Sequence, residues 1–231
     1  MISSNASIVF LFRSVIYLIL YYTIFDDLFW LGTYNPNEVN WKQDIGLDMR
    51  GRSKLLKTSY RVTQDHMNFG FSMLLNDKKY AKEVEVFYET SKDVVLKNMS
   101  SNSIELLETD YRGVAQVYES LLEKYEYSDI LLLAPSWYGV NAIKKGLAYD
   151  VQKHINSSKE LFENKSIFTT YHSSKGIEAK VTIVVDIDKV KERKLLYVAS
   201  TRASEKLIIH SQNIQRSIIA KEISEILDIQ Y

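Results

Sequence analysis

The chain has no cysteine at all. It therefore has no disulfide framework, no thiolate metal site and no cysteine nucleophile. That suits a reducing compartment without requiring one. Proline is almost absent, with 2 residues, and there are 8 glycines in 231 residues, which excludes collagen-like and linker-dominated chains. Net charge is also missing: 29 basic residues balance 29 acidic ones. The four histidines, at 66, 154, 172 and 210, lack metal-ligand spacing, so no metal site is expected. What is present is ordinary for a globular chain, 46% hydrophobic and 25% charged, with tyrosine high at 16.

The even charge hides a pattern. Lys42 to Arg61 holds six basic residues and two acidic ones, and Lys82 to Asp129 holds five basic and eleven acidic. A basic stretch ahead of an acidic one fits a polyanion site beside a solvated face, and equally two unremarkable surfaces. Ile8 to Phe25 is nearly all apolar, broken by Arg13 and Ser14. An arginine inside a span costs roughly 2.5–3.5 kcal/mol. No Lys or Arg precedes Ile8 and no small-x-small site follows, so a signal peptide fits poorly. We read the segment as part of a globular core, with a membrane anchor as the alternative.

Leu55 to Tyr60 reads as a short strand, and Thr63 as the cap of a helix with apolar Met67, Phe71, Met73, Leu74 and Leu75. Val84 to Tyr88 alternates like a strand. Tyr111 to Tyr125 is the clearest helix, with Val114, Val117, Tyr118, Leu121, Leu122 and Tyr125 on one face. Asp129 to Ala134 is a continuous apolar run ended by Pro135, the signature of a strand covered on both faces. A helix from Val140 to about Lys153 follows. Ser166 to Tyr171 and Val181 to Asp186 read as strands, Leu195 to Ala203 as a helix, Leu207 to His210 as a strand and Ser217 to Leu227 as a closing helix. The alternation predicts an α/β fold: a mostly parallel sheet with helices on both faces.

Such sheets place ligands at the carboxyl ends of strands. Three polar clusters are assigned there: Thr58 to Arg61, Thr169 to Glu178, and Leu195 to Ala203. Each holds an Arg or Lys among hydroxyls, side chains that bind phosphate oxygens. Taken singly, the plainer reading wins for each: Arg61 as a surface salt-bridge partner, Lys175 as a solvated loop residue and Arg202 as a helix-face charge.

Their order carries more than each alone. Leu55-Leu-Lys-Thr-Ser-Tyr-Arg-Val-Thr-Gln64 is similar to the fourth conserved block of UvrD/Rep-type superfamily 1 helicases. Trp41 to Arg52 looks like the lead-in found in some branches. Thr170-Tyr-His-Ser-Ser-Lys-Gly-Ile-Glu178 resembles the fifth block, and Leu195-Leu-Tyr-Val-Ala-Ser-Thr-Arg-Ala203 followed by Lys206-Leu-Ile-Ile the sixth. The resemblance covers roughly Trp41 to Ser211, with Asn76 to Lys165 supported only by its α/β pattern.

The resemblance implies a RecA-like (P-loop NTPase-like) carboxyl-terminal motor domain over 41–231, behind a divergent segment 1–40, which is a candidate remnant of the first motor domain. It implies Arg61 and Arg202 as arginine fingers toward the γ-phosphate of ATP, and Glu178 as an acceptor from the ribose. Lys175 and Gly176 shape the loop, while Thr170, His172 and Ser173 contact single-stranded DNA. Tyr60 reads as packing. The departures are equally definite. The chain contains no G-x-x-x-x-G-K-[ST] phosphate loop and no apolar strand ending in Asp-Glu. Ile24-Phe-Asp-Asp-Leu-Phe29 faintly echoes the third block, with Phe29 in place of its Gln. ATP and Mg2+ are thus expected only where a first motor domain is supplied by another chain or segment, and the 231 residues alone are expected not to be an ATPase. The expected setting is cytoplasmic, with single-stranded DNA and a chain carrying the phosphate-loop domain as partners and no membrane. The alternatives are a nucleic-acid-binding module without catalysis and a membrane-anchored α/β protein.

Overall fold

The computed structural model describes residues 63–88, 103–157, 164–174 and 176–228. The chain divides into two units, 1–54 and 55–231, and every described residue belongs to the second. The strand expected at Leu55 to Tyr60, the apolar segment Ile8 to Phe25, and Arg61 and Lys175 lie outside the described residues. Among the described residues no helix is long and apolar enough to cross a membrane.

Helix α1 (Gln64–Leu75) starts where Thr63 accepts a hydrogen bond from the His66 amide through its hydroxyl, the expected cap. Helix α2 (Ala81–Tyr88) corrects the strand expected at Val84 to Tyr88. Val84 and Val86 do alternate, but five residues of alternation cannot outvote Ala81-Lys-Glu at the start, which are strong helix formers. The amides of Ala81 and Val84 reach back to the carbonyls of Asp77 and Tyr80 at 2.8 and 3.0 Å, closing helical turns.

The remainder alternates. Strand β1 (Ile104–Glu108) leads to α3 (Tyr111–Leu121), β2 (Ile130–Ala134), α4 (Trp137–Gly146), α5 (Tyr149–Gln152) and β3 (Ile155–Asn156). Then come β4 (Ser166–Thr170), β5 (Ala179–Val184), α6 (Arg193–Ser200), β6 (Ala203–Ser211) and α7 (Ile218–Asp228). The six strands form one sheet in the order β1-β6-β5-β2-β4-β3, and every pair is parallel. The helix expected over Val140 to Lys153 is interrupted at Leu147, whose extended backbone ends α4 before α5 begins.

Period-two alternation sorts the strand side chains onto two faces. Leu131, Leu133, Leu207 and Ile209 join Phe69 and Met73 of α1, Leu196 of α6 and Ile223 of α7 on one face. Ile130, Leu132, Ile183 and Ile208 join Val114 and Tyr118 of α3 and Val140 and Ile143 of α4 on the other. Helices therefore cover both faces, as the sequence predicts, and β2 is buried along its whole length. Strand β2 is followed by α4 on the second face and its neighbour β5 by α6 on the first. The crevice outside their carboxyl ends is therefore a topological switch point.

Candidate nucleotide and nucleic-acid interface

The loop from Thr170 to Glu178 starts at the carboxyl end of β4. Thr170 donates from its hydroxyl to Ser173 Oγ at 3.2 Å. Tyr171 turns inward and donates its hydroxyl to the Val185 carbonyl, and burial raises its pKa well above 10.0. Ser174 returns its hydroxyl to the Tyr171 carbonyl at 2.7 Å. With residues 171 and 174 buried, His172 is left exposed and Ser173 partly so. Gly176 has φ of 76°, a left-handed conformation that favours glycine, and it stands in open space. Ile177 is buried again, and Glu178 is exposed just ahead of β5.

Arg202 lies in the turn between α6 and β6. It is 4% exposed, and its Nε donates to the Val198 carbonyl at 3.1 Å. Thr201 donates to the same carbonyl at 3.0 Å, so two side chains close the end of α6. The Arg202 carbonyl accepts from the Ala179 amide at 3.0 Å. That bond sets Glu178 beside Arg202 at the amino ends of β5 and β6.

This placement corrects the assignment to carboxyl ends for Glu178 and for the Leu195 to Ala203 cluster, while Thr58 to Arg61 lies outside the described residues. The sheet is parallel, so Thr170, His172 and Ser173 sit at the carboxyl edge, and Glu178 and Arg202 at the opposite one. The reason is chain direction: α6 runs back along the sheet before β6 starts at Ala203, and Arg202 precedes that start. Glu178 and Arg202 are thus brought together, and the proposed DNA-contacting residues are kept apart from them.

Two buried histidines organise these edges, though their sequence surroundings offered only a lack of metal-ligand spacing. His66 of α1 is fully buried, with Nδ1 2.9 Å from the Ala203 carbonyl and Nε2 3.3 Å from the Ser103 carbonyl. It ties the start of α1 to the residue after Arg202. His210 accepts from the Asp186 amide on Nδ1 at 3.2 Å, and its Nε2 lies 2.9 Å from the Thr109 carbonyl. Burial lowers its pKa, against the opposing pull of the Thr109 bond and the Asp186 charge.

Asp186, at the switch point, is 1% exposed with φ of 59°, a left-handed backbone outside glycine. Its Oδ2 accepts from the Tyr111 hydroxyl at 2.6 Å and pairs with Lys189 at 3.1 Å, and its Oδ1 accepts from Gln212 at 3.0 Å. Burial, then the bond to Asp186, raises the Tyr111 pKa. Burial alone would lower Lys189, but its bonds to Tyr111 and Asp186 outweigh that and raise it. Among the described residues no group of three or more His, Asp or Glu side chains is arranged to hold a metal ion.

Residues 165–210, from the residue before β4 through most of β6, match the family model of the UvrD-like helicase C-terminal domain. No curated protein matches the chain. A solved structure described as the C-terminal domain of a possible DNA helicase from Lactobacillus plantarum WCFS1 superposes with a TM-score of 0.50 at 18% identity. The match covers 74% of this chain and 97% of that one, and it is a likeness of fold. The class is therefore an α/β, RecA-like fold. Within it, the segment carrying the fifth and sixth blocks is that of the UvrD-like helicase C-terminal family.

Proposed function

We propose that the chain provides the second motor domain of a superfamily 1 DNA helicase, spanning 41–231, with residues 1–40 as an altered junction. The observation that carries this is the Ala179–Arg202 backbone bond, inside the family-matched segment. It sets an acceptor, Glu178, and a cation, Arg202, on one edge of the sheet, as a nucleotide contact from this side requires.

The chain offers ends of a nucleotide site and no cradle. Arg202 supplies fixed positive charge and planar donors suited to developing phosphoryl charge. Arg61 acts with Arg202 as a second arginine finger toward the γ-phosphate. Glu178 accepts from the ribose, and Gly176 with Lys175 lets the loop approach closely. The phosphate loop and the Mg2+ carboxylates come from a first motor domain on another chain or segment, and with it ATP hydrolysis. At the opposite edge Thr170, His172 and Ser173 contact single-stranded DNA. A cytoplasmic setting goes with this reading.

The experiment is equilibrium binding of a labelled single-stranded oligonucleotide by the chain and by the double variant Thr170→Ala, His172→Ala. Weaker binding by the variant supports the loop as the contact. Unchanged binding removes it.

A further inference from the structure

Most large apolar side chains of the described residues are buried, yet two aromatic rings stand in water at the carboxyl edge of the sheet. Trp137 is 44% and Tyr138 75% exposed. Burying a side chain of this size gains roughly 1.5–3 kcal/mol, and these two rings forgo much of that gain. The helix is seated by its other face, through Gly139, Val140 and Ile143, all buried. A Cβ on Gly139 would stand 3.2 Å from Asp186 Oδ2, so the first turn lies directly on that carboxylate. Residues 137, 138 and 141 are thereby turned outward. Tyr138 is also held edge-on to Tyr111, with ring centroids 6.2 Å apart, and Tyr111 is anchored on Asp186. The rings project from a fixed frame.

Sheet register says what they adjoin. Ala134 of β2 is paired with Thr170 of β4. The chain therefore leaves the two strands side by side, toward Trp137 and Tyr138 from one and toward His172 and Ser173 from the other. Neighbouring strands are about 5 Å apart, and nucleotides in a stacked strand about 3.4 Å. A single strand touching the Thr170–Ser173 loop reaches the aromatic pair within one or two nucleotides.

We infer that Trp137 and Tyr138 form a base-stacking platform that extends the single-strand contact of the Thr170–Ser173 loop onto the neighbouring strand, with single-stranded DNA as its occupant. The inference rests on the DNA-contacting role proposed for that loop. Stacking uses the π-face common to all bases, so the platform is tolerant of sequence. It neutralises no phosphate, so it adds nothing to the salt dependence.

The test compares the full chain with Trp137→Ala, Tyr138→Ala and the double variant Thr170→Ala, His172→Ala. Each is titrated against oligo(dT) and against an abasic strand of equal length at several salt concentrations. The platform predicts that each aromatic truncation weakens oligo(dT) binding by about 5- to 100-fold, leaves the salt slope unchanged and leaves abasic binding unchanged. Trp137→Phe, which keeps a ring, retains most of the affinity. Equal losses on the abasic strand overturn stacking. Wild-type oligo(dT) affinity in both aromatic variants, beside a weakened loop variant, overturns the platform while the loop contact stands. No binding by the wild-type chain overturns both.

Discussion

The His66 imidazole lies 2.9 Å from the carbonyl of Ala203, the residue that follows Arg202. A side chain in the first turn of α1 thereby fixes a turn 137 residues further along the chain. Its other ring nitrogen faces the Ser103 carbonyl, just ahead of β1. One buried ring thus joins α1, β1 and β6 at the amino edge of the sheet.

His66→Ala leaves the buried Ala203 carbonyl without this partner, and an unsatisfied buried group costs about 1–3 kcal/mol. Urea unfolding should show a loss of that order. His66→Gln, which can still donate to one carbonyl, should lose less. Equal stability of His66→Ala and wild type would mean the clamp contributes nothing.

Asp186 is the hub of the opposite edge. Asp186→Ala removes the acceptor used by Tyr111 and Gln212 and strips Lys189 of its counter-charge. Hydrogen bonds to a charged group contribute about 1.5–3 kcal/mol, so a loss of about 2–3 kcal/mol is expected in unfolding midpoints. Asp186→Asn keeps one acceptor oxygen and tolerates the left-handed backbone, so it should cost about half as much. An alanine variant as stable as the asparagine one would contradict the hydrogen-bonded role of this side chain.

Stability should fall with acid below the ordinary histidine value of 6.5, because burial lowers His210 in the folded chain. Between the lowered folded value and 6.5 the unfolded chain binds more protons, so stability rises with pH there, by at most about 1.4 kcal/mol per unit. Above 6.5 both states carry neutral His210 and its contribution is complete. Urea midpoints taken from about pH 7.5 down to about pH 5.5 should fall more steeply for wild type than for His210→Gln. Parallel curves would exclude the contribution.

How far these features can be read from residues alone depends on whether local pattern or chain path decides them. The fully apolar Ile130–Ala134 declares a doubly covered strand, and the spacing of Val114, Tyr118 and Leu121 declares the buried face of a helix. Ile104–Glu108 gave no such signal, since its Glu residues and partly exposed leucines reflect an edge position, with only β6 beside it. Val84 to Tyr88 shows the limit of a five-residue pattern. That Glu178 and Arg202 belong to one site is implied by the family-like blocks, but their place at the amino edge follows from α6 running back along the sheet. The roles of His66 and Asp186 are tertiary: their partners are distant in sequence, and a lone buried histidine has no local signature.

The 231-residue chain should not hydrolyse ATP. It contains no phosphate-loop motif. Arginine fingers contribute roughly 10³–10⁵ in rate only where other groups already hold the nucleotide. A phosphate-release assay on the purified chain should stay at the buffer rate, and Arg202→Ala should change nothing. Turnover abolished by Arg202→Ala would show a complete catalytic site.

The most direct test of the motor-domain reading is a salt series of single-strand and duplex binding by the wild-type chain, read by anisotropy of a labelled oligonucleotide. A domain that presents the Thr170–Ser173 loop to a single strand binds oligo(dT) more tightly than duplex of the same length. Its affinity falls linearly with salt on logarithmic axes, as phosphate contacts release counterions. Undetectable binding of oligo(dT) at low salt, or equal affinity for duplex, would contradict it.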